Sequence, residues 1–85
     1  MQNKSSYTLS KRADVLSQFS ISNTTLHERI NEGLLPPSVS TGARSVAWVQ
    51  QELDSVLKAM IAGKSKEEIK ALIVHLVEQR SKLVA

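Results

Sequence analysis

Apolar positions recur along this chain with two different periods. In the second half the period is helical. Leu53, Val56, Leu57, Met60 and Ile61 repeat every three to four residues and predict a helix from about Gln50 to Ala62. Ile69, Leu72, Ile73, Leu76, Val77 and Leu83 form a second stripe, with Val74 on the far side, and predict a helix from about Lys66 to Lys82. Ser65-Lys66-Glu67-Glu68 opens that helix as a capping box, the serine hydroxyl and the glutamate satisfying each other's backbone N–H groups. Glu67 and Glu68 at its start and Arg80 and Lys82 at its end suit the helix dipole. Gly63-Lys64-Ser65 is short enough to fold the two helices into an antiparallel pair.

The first half reads as shorter pieces. Val15, Leu16 and Phe19 mark the inward face of a helix from about Lys11 to Phe19, with Ser10 as its expected N-cap. Residues 18–21 make a tight turn into a second helix, Asn23 to Glu32. Ser22 is its cap, Ile21 and Leu26 form a hydrophobic staple, Gly33 ends it, and Pro36-Pro37 forbid its continuation. Leu26 and Ile30 face inward. Thr24, His27, Glu28 and Asn31 lie opposite, with Asn23 and Thr25 in the first turn. Two short helices joined this way are a helix-turn-helix unit.

Beyond Pro37 the pattern changes to that of strands. Residues 38–40 and 45–48 flank Thr41-Gly42-Ala43-Arg44, a hairpin turn in which Gly42 is expected to supply a positive φ. Tyr7 and Leu9 alternate with polar residues and are expected to lie extended against the core. The pattern predicts a mainly α fold: a winged helix-turn-helix with a small two-stranded wing and two additional C-terminal helices. Residues 1–6 are polar and expected to be disordered, 7–62 form the winged unit, and 65–83 form the C-terminal helix.

Composition narrows the function mainly by exclusion. Eighty-five residues allow one domain with a modest core. There is no cysteine, so disulfides and thiolate metal sites are excluded, and two histidines without paired carboxylates predict no metal site. No cofactor motif, phosphate loop or nucleophile elbow is present, so no enzymatic activity is expected. No apolar run has the length of a signal peptide core or a membrane span, which makes the cytoplasm the expected location. The net charge of +3 permits nucleic-acid binding without demanding it, because the cations are spread evenly.

The candidate chemistry lies on the second helix and the hairpin. Asn23, Thr24, Thr25, His27 and Asn31 can hydrogen-bond base edges or phosphates in a major groove. Glu28 repels phosphate and fits there only by accepting from a cytosine amino group or by pairing with Arg29 or Arg44. Arg44 at the hairpin tip can follow a phosphate or enter a minor groove. Lys11 and Arg12 begin a helix whose free N–H groups already favour phosphate. Each of these side chains also has a plain reading as a solvated surface residue. Trp48 and Tyr7 are expected in or at the edge of the core, His75 on a helix flank, and Asp14, Glu52 and Asp54 as ordinary helix carboxylates.

Ser22-x-x-Thr25-Leu26 followed by Asn31-Glu32-Gly33-Leu34-Leu35-Pro36-Pro37 resembles the recognition helix and exit of the MerR-superfamily winged helix. The run from Lys11 to Leu57 is similar to the small AlpA-like phage regulators and the related excisionases. The features that carry this are Val15 and Leu16, Ile21-Ser22, Thr25-Leu26, Gly33, Gly42-Ala43-Arg44, and a Trp48 that in those proteins opens the next helix. Ser20 replaces the usual turn glycine, Arg12 stands where an apolar residue is common, and the last two dozen or so residues lie outside the resemblance.

The resemblance implies sequence-specific binding of double-stranded DNA, as a phage- or mobile-element-type transcriptional regulator or an excisionase-like factor. A recombinase or another regulator is then a candidate partner. The competing class is a small helical protein–protein interaction module working through the C-terminal stripe. The helix-turn-helix offers few apolar residues to cover both C-terminal stripes, so the last helix is also expected to form a homodimer.

Overall fold

The computed structural model describes residues 7–83. The expected disorder of residues 1–6 lies outside that range. The elements run β1 (Leu9–Ser10), α1 (Arg12–Phe19), α2 (Asn23–Asn31), β2 (Val39–Ser40), β3 (Val46–Val49), α3 (Gln50–Ile61) and α4 (Lys66–Arg80). The fold is mainly α with one small antiparallel sheet. That sheet has three strands, in the order β1-β3-β2, rather than the two expected. Leu9 pairs with Val49 and Ser10 with Trp48, while Val39 pairs with Ala47 and Ser40 with Val46. The extended N-terminal stretch therefore joins the β2–β3 hairpin as an outer strand. Tyr7 and Leu9 are half-exposed, and Ser10 is the residue that β1 buries.

This placement corrects the assignment of Ser10 as a cap. Lys11 occupies the N-cap position of α1 and makes no side-chain capping bond. The Ser10 hydroxyl instead donates to the Gln50 side-chain carbonyl. Gln50 also exchanges two amide hydrogen bonds with Gln18, at 2.9 and 2.7 Å, tying α1 to the start of α3. The same strand accounts for the uncapped start of α3. Trp48 does not open that helix; β3 runs into it directly, and the Gln50 N–H donates to the Thr8 carbonyl at 2.8 Å. The Thr8 carbonyl, one residue before β1, thus takes one of the orphan N–H donors of the first turn.

Helix ends in the first half follow the chain's local chemistry. Ser22 accepts from the Thr25 N–H at 3.2 Å, and Ile21 and Leu26 both pack in the core. Gly33 has φ +78, with the Leu34 N–H bonded to Arg29 O and the Gly33 N–H to Ile30 O, which is a Schellman motif. The α1 end repeats these bonds with Ile21 to Leu16 and Ser20 to Ser17, so Ser20 sits in the left-handed region at φ 56. The hairpin tip needs no such residue. Gly42 is not left-handed, and the loop closes through the Thr41 N–H to Ser45 O and the Ser40 hydroxyl to Gly42 O.

One core joins the four helices and β3. Val15, Phe19, Leu26, Leu35, Trp48, Leu53, Val56, Ile69 and Ile73 are buried together. Leu72, Leu76 and Val77 pack against them, so the α4 stripe faces this chain's own core. The stripes end sooner than their period predicts. Ile61 is 85% exposed and Met60 41%, and Leu83 lies past the end of α4 and is exposed.

The carboxylate Glu52 is not an ordinary surface group. It is 6% exposed and accepts from Arg80 through both oxygens, at 2.7 and 2.8 Å. Arg80 also donates to the Pro37 carbonyl at 2.7 Å. The bonds to Glu52 hold the Arg80 guanidinium more firmly protonated than usual, against the opposing effect of burial. Sequence spacing between positions 28 residues apart carries no sign of this pair.

Candidate nucleic-acid interface

The candidate residues fall on two adjoining surfaces. The first is the outer face of α2. Asn23, Thr24, His27, Glu28 and Asn31 are exposed, as their spacing opposite Leu26 requires. Thr25 differs: it is partly buried, and its hydroxyl oxygen accepts from the Ser22 hydroxyl at 3.1 Å. Its side chain belongs to the cap and is the least available of the set. Among the described residues Glu28 forms no ion pair with Arg29 or Arg44.

The second surface is a shallow groove between the start of α1 and the β2–β3 hairpin. Lys11, Arg12 and Arg44 line it together with Thr41 and Ser45. Sequence distance hides this grouping, since Arg44 lies more than thirty residues from Arg12. The three-stranded sheet makes it possible. With β1 against β3, the Lys11-Arg12 step is brought alongside the hairpin that carries Arg44. Three cations and two hydroxyls in one open groove can bind an anionic chain such as a phosphate backbone.

Arg12 belongs to both surfaces. Its Nη1 donates to Asn23 Oδ1 at 3.0 Å and lies 3.3 Å from His27 Nε2. Its guanidinium carbon sits 5.4 Å from the centroid of the Trp48 ring. The cation–π contact explains how a charged residue occupies a position where an apolar one is common: its planar head lies on an aromatic face. Trp48 is core, as expected, but its ring is also the platform for this arginine. The sequence carries no sign of that role, because no local pattern relates positions 12 and 48.

His75 is exposed on α4, away from these surfaces in sequence and on a helix flank as expected. Among the described residues no group of three or more His, Asp or Glu side chains is placed to hold a metal ion. No helix among them is long and apolar enough to cross a membrane.

Residues 9–59 match the family of the prophage CP4-57 regulatory protein (AlpA). That span runs from β1 into the last turns of α3 and contains every candidate contact residue, leaving α4 outside. A curated relative, the uncharacterized protein ORF88 of Enterobacteria phage P4, is 34% identical over 53 residues, 62% of this chain. The match covers 60% of the relative's own length. No solved structure matches the chain. With well over half its length matched from β1 to α3, the chain belongs to the AlpA family of phage regulatory proteins.

Proposed function

We propose that this protein is a winged helix-turn-helix regulator that binds double-stranded DNA in a sequence-specific manner, with α2 in the major groove and the wing on the adjacent backbone. The observation that carries the reading is the continuity of the two surfaces through Arg12. The cationic groove of Lys11, Arg12 and Arg44 adjoins the polar outer face of α2, and one side chain is shared by both. A groove of cations supplies sequence-independent affinity, and a polar helix face supplies base contacts. Residues 7–62 then form the DNA-binding unit. Thr24, His27 and Asn31 read bases, Lys11 and Arg44 hold phosphates, and Glu28 accepts from a cytosine amino group.

Family membership supports a regulatory role in a phage or mobile element. An excisionase-like role, acting beside a recombinase in the cytoplasm of a host cell, uses the same parts. A homodimer would set two copies of α2 on paired half-sites. Since the α4 stripe faces the core, such a dimer would use the outer face of α4, where Val74 is 58% exposed. The reading is tested by mobility shift of genomic fragments at ~100 mM salt with competitor DNA, where specific complexes persist. Thr24→Ala and His27→Ala are each expected to weaken the specific complex by roughly 1–3 kcal/mol per lost base contact while the fold is kept. If both variants bind the same fragment with unchanged affinity, α2 is not the reading element.

A further inference from the structure

Arg12 stands where three elements meet, and the chemistry of its partners is one-sided. A guanidinium only donates hydrogen bonds and stays protonated throughout the physiological range. It faces Asn23 Oδ1 at 3.0 Å and His27 Nε2 at 3.3 Å. Asn23 must therefore keep its carbonyl oxygen toward Arg12 and direct its amide hydrogens elsewhere. His27 must accept at Nε2, which puts its proton on Nδ1. The guanidinium cannot easily follow either side chain, because it lies over the ring of Trp48, itself buried in β3.

We propose that Arg12 is a positioning residue that turns the amide hydrogens of Asn23 and the Nδ1 hydrogen of His27 toward the groove, so that these two side chains recognise the N7 and O6 acceptors of guanine. This rests on the DNA-binding reading and deepens it to a base. An asparagine free to offer Oδ1 and Nδ2 together pairs bidentately with adenine, accepting from N6 and donating to N7. With Oδ1 turned toward Arg12, the adenine amino group must share that oxygen with the guanidinium, and the bidentate pairing is weakened. Guanine presents two acceptors on the same groove edge, which suits the Nδ2 hydrogens of Asn23 and the Nδ1 hydrogen of His27. Glu28, next to His27 and exposed, is an acceptor only. It complements the cytosine amino group, so the carboxylate that repels phosphate has a role at a G·C pair.

Two measurements on the full chain test this. The first needs no DNA. Long-range proton–nitrogen correlation spectra read the tautomer of His27, which is expected to carry its proton on Nδ1 and to lose that bias in Arg12→Met. A proton resident on Nε2 in the native chain overturns the proposed orientation. The second is selection of bound duplexes from a random pool, with native chain and Arg12→Met in parallel. The native chain is expected to enrich a site containing a guanine whose replacement by 7-deazaguanine weakens binding about ten-fold or more. Arg12→Met is expected to admit adenine at that position. Lower total affinity in that variant does not count, because the lost charge alone produces it.

Selected sites that tolerate 7-deazaguanine at every guanine overturn the specificity, as does a variant with the native base preference. If Arg12→Met does not fold, the 7-deazaguanine series on the native chain decides. Failure of the native chain to enrich any duplex overturns the DNA-binding reading itself, and the base assignment with it.

Discussion

Removing the Arg80 guanidinium is expected to be the most damaging single truncation outside the apolar core. The native side chain makes three bonds of 2.7, 2.7 and 2.8 Å, two to Glu52 and one to the Pro37 carbonyl. Arg80→Ala leaves the Glu52 carboxylate, with an 8% exposed side chain, without its counter-ion. Breaking a buried ion pair by removing one partner costs about 3–5 kcal/mol. The Arg80 side chain is 22% exposed, so water reaches the vacated site and solvates part of the carboxylate. The lower end of that range, about 3 kcal/mol, is therefore expected. A chain of this size has roughly 4–13 kcal/mol of stability in all, and each kcal/mol moves its melting temperature by about 4–8 °C. Arg80→Ala should melt about 12–24 °C below the native chain.

Thermal unfolding followed by circular dichroism gives the shift, and a double-mutant cycle with Glu52→Ala isolates the pair. Arg80→Met with Glu52→Leu should recover most of the loss, since apolar replacement of both partners removes the stranded charge. A shift below about 3 °C for Arg80→Ala would refute the reasoning: the pair would then behave as an exposed surface bridge, worth under about 1 kcal/mol.

Four further outcomes are expected. Arg44→Ala should weaken binding to specific and non-specific DNA alike and lower the salt slope by about one; an unchanged slope and affinity would remove Arg44 from the interface. Ser20→Gly should raise the urea midpoint, because relief of a left-handed residue, about 1–2 kcal/mol, exceeds the added freedom of the unfolded chain, about 0.4–1 kcal/mol. A lower midpoint would show that the Ser20 side chain contributes more than its conformation costs. The Ser65 backbone N–H, the Ser65 hydroxyl and nearby Lys64 hold the Glu68 carboxyl below the usual carboxylate range. A depressed folded pKa means stability present above the ordinary glutamate value and lost as pH falls through the lowered one, so Glu68→Ala should flatten the acid limb of the stability curve. A chain ending at Lys64 lacks buried Ile69 and Ile73 and the Arg80 anchor, and should show no cooperative melt; a sharp transition would mean that α4 is an appendage.

Elements whose causes lie within a few residues are legible in the amino-acid sequence alone. The Ser22 cap, the Ile21–Leu26 staple, the Gly33 stop and the Ser65–Glu68 capping box involve partners no more than five residues apart, and local hydrogen-bonding chemistry decides them. The outer face of α2 follows from helical periodicity opposite Leu26. The AlpA-like resemblance rests on the same local motifs, and the family match covers the same region. What the tertiary structure decided depends on which distant segments meet. A two-residue strand carries almost no periodicity, so only pairing with β3 made β1 a strand and turned Ser10 from an expected cap into a buried donor. The same pairing gathered Lys11, Arg12 and Arg44 into one groove and laid Arg12 on Trp48. Glu52 has the sequence context of any first-turn helix carboxylate, and became a buried ion-pair partner because α4 packs antiparallel to α3 and delivers Arg80 beside it. The stripe of α4 has the period of a core helix and of a dimer helix alike, since periodicity names an apolar face but not what covers it; here Ile69 and Ile73 turn it into this chain's own core.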